Sequence, residues 1–432
     1  MKHNIYKRYP MGNKRFTWKQ KDFILSSFNC VGDDMDKAIR NCIEAGFNMV
    51  ELGWAPHDKA WEAVELCEKY GLDIIFQDFT IMGGMMGKFF DREIDPNAPK
   101  MLAEAFKDKK HMIGYYVWDE PYFPEHMKEA RRQSDMLHEV DPDALLFSVA
   151  LPSYNFDYMW ENGLYPEYLE NYVKTMDPPV FSMDHYPVGD CPREDPRYFY
   201  SDEKQLDDTY MWCDLGMVRK LAKKYDLPMW FYYQGCEVYP TTKHFEFPMV
   251  RAMMYAAALY GAKGLQHYTA QLSVLEKTGE KGRFFNDQKQ IHSEFKNLGN
   301  TLMALESRLV YHSKELLPGC KYLDGIVDDI SDSKIFTGEL PKRTSIGELD
   351  DAYGNTYAMI LNRDFESDLD TVLKLSGDFR IYEVSREDGK QRVIYDCVSE
   401  LPIKLVPGDA VLYRIQPASE EAFTAEYQLE EK

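Results

Sequence analysis

Positive charge is what this chain is short of. Its 51 Lys and Arg face 72 Asp and Glu, leaving a net charge of −21. That balance argues against a nucleic-acid partner, because phosphate binding needs a basic face; acidity on this scale serves solubility. Long apolar runs are missing too. No window approaches the ~18 apolar residues of a membrane span, so no membrane partner is expected. The opening Met-Lys-His-Asn-Ile-Tyr-Lys-Arg-Tyr-Pro has no apolar stretch of the kind found in a secretory leader. The eight cysteines are scattered, and no pair has metal or redox spacing. Several fall inside apolar patterns, as reduced core cysteines do. The expected location is the cytoplasm, or outside the cell if a leader is removed. Oligomeric state is left open. A GxGxxG after the first strand is also lacking, which weakens the reading of a doubly wound open sheet.

What the chain does have is apolar content, at 44%, and aromatics, at 14% with 30 Tyr. Most of these belong in a core, and the excess fits stacking on sugars. Apolar runs recur at 23–31, 47–54, 72–79, 112–118, 144–151, 180–186, 229–234 and 263–268. Helical periodicity fills the gaps, at 34–45, 58–70, 97–108, 124–139, 166–175, 207–225, 247–260 and 291–308. Near-continuous apolar strands alternating with helices mean a parallel sheet covered on its outer face. Eight such units predict an α/β fold, a (β/α)8 TIM barrel, over residues 1–320. From about 322 short strands alternate with turns, at 354–362, 371–376, 379–384, 392–396, 401–405 and 409–415, punctuated by Asp388-Gly389 and Pro407-Gly408. This predicts a small antiparallel β-sandwich over 321–417, and 418–432 reads as a loose acidic tail.

Residues 113–121, Ile-Gly-Tyr-Tyr-Val-Trp-Asp-Glu-Pro, are the most telling run. A buried strand stops on two adjacent carboxylates, and Pro121 cannot donate to a sheet. Simple alternation puts Tyr116, Trp118 and Glu120 on one face and Val117 and Asp119 on the other. A carboxyl beside aromatics at a strand end suits a general acid acting on a hydroxyl-rich ring. The bland alternative is a carboxylate that caps the next helix or pairs with an Arg. Barrel enzymes carry their chemistry at the C-terminal strand ends. There the chain places Asn29, Glu51 and Trp54, Gln77 and Asp78, and Asp119 and Glu120. Ser153, Tyr154 and Asn155 follow strand 5, and Asp184, His185 and Tyr186 end strand 6. Gln234 and Glu237 follow strand 7, and Gln266, His267 and Tyr268 end strand 8.

These segments resemble the clan-A glycoside hydrolases, the retaining (β/α)8 glycosidases that include the β-galactosidases. Trp118-Asp119-Glu120-Pro121 is similar to the strand-4 motif of that clan, Asp184-His185-Tyr186-Pro187 to strand 6, and Phe231 through Glu237 to strand 7. Gly261 through Tyr268 is similar to the approach to strand 8, and Leu405 through Leu412 to the last strands of the sandwich that follows many such barrels. The resemblance spans about residues 20–415. It implies a carbohydrate substrate, no cofactor and no metal, with Glu120 as acid/base and Glu237 as nucleophile. Asp119, Trp118, Asp184, His185, Tyr186, Gln234, Tyr268, Trp54 and Glu51 become the expected substrate-binding residues.

Two departures stand out. The clan usually has Asn before the acid/base, where this chain has Asp119. A second carboxylate there raises the pKa of Glu120, which suits a general acid. On strand 7, alternation gives Gln234 the nucleophile's place, so Glu237 needs a bend at Gly235. The implied reaction is two-step: Glu237 attacks the anomeric carbon while Glu120 protonates the leaving oxygen, then Glu120 activates water. A metal-dependent sugar isomerase-like barrel, using Asp184 and His185 among its ligands, is one alternative. A catalytically inactive glycan-binding barrel is the other.

Overall fold

The computed structural model describes residues 2–8, 15–29, 32–55, 57–78, 84–85, 88–89, 95–153, 164–189, 210–238, 245–314 and 326–429. Eight parallel strands form a closed barrel: Ile24–Phe28, Met49–Ala55, Asp73–Asp78, Met112–Asp119, Leu145–Ala150, Phe181–His185, Met229–Gln234 and Gly264–Tyr268. They are called strands 1 to 8 below. Each pairs with the next, strand 8 returns to strand 1 through Gln266↔Ser26, and strand 3 pairs with strand 4 through Phe76↔Tyr115. Each strand is followed by its helix: Met35–Glu44, His57–Tyr70, Ala98–Phe106, Pro124–Val140, Tyr165–Met176, Met211–Tyr225, Phe247–Leu259 and Phe285–Ala304. The predicted (β/α)8 order is therefore observed in full.

The strands read as unbroken apolar runs because both faces are buried. Outward-facing Leu25, Val50, Ile74 and Phe231 pack under the helices. Inward-facing Met49, Ile75, Leu145, Phe147 and Trp230 fill the barrel itself. The helices start where local chemistry allows it. Asp34 accepts from Lys37 N at 3.0 Å ahead of the first helix, and Pro124 and Pro248 sit in first turns, where a missing N–H costs nothing. Phe247–Leu259 is buried almost all round because the β-domain covers its outer side. Gly347 makes that approach possible: a Cβ there would lie 2.3 Å from Leu259 O.

The β-domain differs in detail from the expectation. It begins at Leu305–His312, inside the stretch read as the last barrel helix, and that strand pairs with Thr344–Asp351. Four of the expected short strands are two long ones, Leu369–Val384 and Gln391–Leu405. Register shifts between Lys374 and Tyr382 bend this hairpin, so its two ends enter different layers around one core. That core includes Ile346, Ile360, Leu373, Ile381, Leu401 and Ile415. Residues 418–432 are not simply a tail. Phe423–Leu429 forms a parallel pair with Lys2–Arg8, with Ala425 and Tyr427 buried. The Tyr427 hydroxyl donates to Asp351 at 2.6 Å. Alternation of small and aromatic residues inside the Glu-rich run supplies the buried face.

Cys67, Cys213 and Cys236 are buried free thiols, as expected. Cys42 is not: it is disulfide-bonded, and its partner lies outside the described residues. Among the described residues no helix is long and apolar enough to cross a membrane.

Candidate active site

Strand 4 does not keep its alternation to the end. Its register against strand 5 shifts between Tyr116 and Trp118, so one residue bulges out of the ladder. Tyr116 points into the barrel and Trp118 points out, where it is fully buried and stacked on His126 at 5.5 Å. Trp118 is therefore a core residue under the fourth helix and not a sugar platform. The same bulge turns Asp119 inward, and the Tyr116 hydroxyl donates to its carboxylate at 2.6 Å.

Glu120 then takes a left-handed backbone, φ 52°. That conformation is disfavoured for a residue with a side chain, and more so before a proline. Strain of this kind, on the order of 1–3 kcal/mol, is characteristic of sites that must aim a group. Here the turn carries the Glu120 carboxyl across the mouth to strand 6, where it lies beside the carboxyl of Asp184. Glu120 is 7% exposed and Asp184 6%. Burial, then the charges of Asp184 and Asp119, push the Glu120 carboxyl well above the usual carboxylate range. Burial and Asp119 push Asp184 upward as well, while a hydrogen bond from Tyr186 favours its ionised form.

Below this pair lies a polar layer inside the barrel. Glu51 is completely buried; one carboxyl oxygen accepts from Ser26 Oγ and from Gln266 Nε2, the latter at 2.8 Å. Its other oxygen has no hydrogen-bond partner among the described residues. Burial raises Glu51 to about 7. Gln266 in turn accepts from Ser182 at 2.6 Å. Tyr116 stands in the field of Asp119, Glu51 and Asp184 together, which ties the layer to the pair above. The wall on the strand-8 side is aromatic. Tyr186 stacks on Tyr268 with centroids 4.6 Å apart, and Tyr268 on Phe28 at 5.7 Å.

Glu51, Asp119, Glu120, Asp184, Tyr186 and Tyr268 thus come together as expected residues of one mouth. Others go elsewhere. His185 faces outward, fully buried, with Nδ1 2.7 Å from Asp214 of the sixth helix. Gln234 faces inward but is a clamp: it accepts from Val188 N at 2.7 Å and donates to Val188 O at 2.8 Å and Cys236 O at 3.1 Å. Its role is to hold the loop after strand 6. Glu237 lies beyond strand 7 on the rim, its side chain 33% exposed and ion-paired with Arg283. The side chain of Trp54, and Tyr154 and Asn155 as a whole, lie outside the described residues. Ser26 was not picked out from sequence, and Tyr116 and Gln266 were placed near the mouth without a role as partners of Asp119 and Glu51. All three carry polar groups at positions of barrel strands that alternation turns inward, which is the signal available for finding them.

Among the described residues no group of three or more His, Cys, Asp or Glu is arranged to hold a metal ion. A scan against protein-family models finds no match, and a search of curated sequences finds none. Solved structures do match. One described as a glycoside hydrolase superposes with a TM-score of 0.55 at 14% identity, over 97% of this chain and 100% of the other. A glycoside hydrolase family 30 xylanase from Clostridium acetobutylicum gives 0.46 at 8% identity, over 95% and 99%. An Anoxybacillus alpha-amylase gives 0.48 at 9%, over 97% and 98%. The first shows that barrel and β-domain together form a fold shared end to end with a glycoside hydrolase.

Proposed function

We propose that this protein is a glycoside hydrolase that cleaves O-glycosyl bonds of an oligo- or polysaccharide with two carboxyl groups at the barrel mouth. The observation that carries the reading is the pair of buried carboxyl groups, Glu120 and Asp184, brought together from the ends of strands 4 and 6. Two carboxylates side by side out of water repel, so such a pair favours keeping one proton between its two members. The site therefore stores one proton beside one carboxylate, which is what acid-assisted glycosyl transfer consumes.

In this mechanism Glu120 gives its proton to the leaving oxygen as the glycosidic bond breaks. Asp184, left as carboxylate, attacks the anomeric carbon and forms a glycosyl ester. Glu120, now ionised, takes a proton from water, and the hydroxide formed displaces Asp184 and releases the sugar. Carboxyls this near to one another suit the ~5–5.5 Å separation of retaining enzymes better than the ~6.5–9.5 Å of inverting ones. Glu237, the nucleophile implied by the resemblance, is engaged with Arg283 at the rim, so the nucleophile's role passes to Asp184. Tyr116 holds Asp119, and the Tyr186–Tyr268 wall offers a face to the sugar ring.

A panel of 4-nitrophenyl glycosides tests the activity and names the sugar. On that sugar, Glu120→Gln should cut turnover of an unactivated glycoside by ~10²–10⁴-fold, the worth of proton donation, and that of the nitrophenyl glycoside far less. Equal losses on both remove Glu120 from the acid role. Glycan binding with no turnover on any member makes the barrel a binding protein.

A further inference from the structure

We infer that Phe123 is the platform for the leaving part of the substrate, so that the enzyme takes glycosides whose leaving group is itself a ring, either a second sugar or an aromatic aglycone. The inference rests on the glycosidase reading above. The chemistry common to both leaving groups is an apolar ring face.

Phe123 lies three residues beyond Glu120, and extended chain rises at most ~3.6 Å per residue. The two Cα atoms are therefore within about 11 Å, less than the length of a disaccharide. The proton of Glu120 goes to the leaving oxygen, so whatever that oxygen carries lies on the Glu120 side of the scissile bond. Phe123 is the exposed aromatic of that loop: Pro121 is buried, Tyr122 packs against the core, and Phe123 remains 49% exposed.

The ring is exposed without being loose. Tyr122 meets it edge-on at 4.3 Å, and His126 at 5.2 Å with planes 70° apart. His126 is itself fixed by its stack on Trp118. Pro124 follows at the start of the helix and restricts the backbone of Phe123. A ring held between two neighbours while half of it stays open to solvent costs little further entropy when it stacks, which is what a binding platform needs. Leu164 is 41% exposed just ahead of the fifth helix. Tyr168 of that helix donates to Pro121 O at 3.3 Å and so ties the two loops together. A solitary surface Phe would need no explanation; a clamped one beside the proton donor, with an apolar neighbour on the adjoining loop, has one.

The test compares three substrates of the sugar selected by the nitrophenyl panel: its disaccharide, its 4-nitrophenyl glycoside, and its glycosyl fluoride, whose leaving group has no ring. In Phe123→Ala and Phe123→Leu, kcat/KM for the ring-bearing substrates relative to the fluoride should fall roughly three- to tenfold, the value of one aromatic contact. Phe123→Tyr should restore the ratio. A fall confined to the disaccharide assigns the platform to a sugar, and one confined to the nitrophenyl glycoside assigns it to an aryl group; either supports the inference. An unchanged ratio in both the Ala and the Leu variant overturns it while leaving the glycosidase reading intact. No turnover of any of the three by the unaltered enzyme overturns the glycosidase reading and this inference with it.

Discussion

Glu120 on strand 4 and Asp184 on strand 6 meet carboxyl to carboxyl across the barrel mouth. Strand 5 separates them in the sheet, so neither local sequence nor strand pairing brings them together. The contact depends on the left-handed turn at Glu120, which follows the bulge after Tyr116.

The nucleophile can be identified by chemical rescue. Asp184→Ala should lower turnover of an activated glycoside by roughly 10⁴-fold or more, as loss of a covalent catalyst does. Azide should then restore activity and give the glycosyl azide of inverted configuration. Glu237→Ala should stay within roughly tenfold of the unaltered enzyme, since a rim ion pair contributes little. If the Glu237 variant is instead the dead one that azide rescues, the nucleophile is Glu237 and Asp184 serves to position Glu120.

The pH profile should answer to Asp119. The active form of the pair carries one proton, so activity falls below the lower apparent pKa and above the upper one. Burial and the Asp119 charge hold both carboxyls up, which places the optimum above the range usual for an exposed carboxyl pair. Asp119→Asn keeps an oxygen for Tyr116 but removes the charge. Both limbs of the kcat/KM profile should then move to lower pH. A profile that stays in place would mean that Asp119 does not act on the pair electrostatically.

Glu51 should make stability depend on pH. Burial raises its carboxyl to about 7, whereas in the unfolded chain it ionises near ~4.3. Below that point both states hold the proton and the group costs nothing. As pH rises toward 7 the unfolded chain releases its proton first, and stability is lost, by up to about 3 kcal/mol. Glu51→Gln cannot ionise, so its Tm relative to the unaltered protein should be higher at pH 8 than at pH 4.5. Thermal unfolding at the two pH values measures this; an equal difference at both removes Glu51 as the source.

The barrel was legible because its signal is local. Eight apolar runs and eight amphipathic stretches each declare their own type, and the carboxylates sit where strands end. What was not legible depends on partners far along the chain. The bulge after Tyr116 is fixed by strand 5 and leaves no mark in Tyr-Val-Trp-Asp, so alternation sent Trp118 inward when it belongs under a helix. His185 was expected at the mouth because it adjoins Asp184, yet adjacency along a strand means opposite faces. Gly377-Asp378 looks like a turn between two strands, but it lies within one bent strand whose pairing continues on either side. Phe423–Leu429 is rich in Glu, and only its pairing with Lys2–Arg8 reveals it as a strand.

That last pairing has a bearing on how the chain is made. Lys2–Arg8 leaves the ribosome long before its described strand partner, Phe423–Leu429. A barrel of successive β/α units can assemble in step with synthesis at ~5–20 residues per second. Lys2–Arg8 cannot follow: it must wait, without this partner, until Phe423–Leu429 has been made. Closing this clasp therefore follows the synthesis of the whole barrel and most of the β-domain, however early the barrel itself has formed.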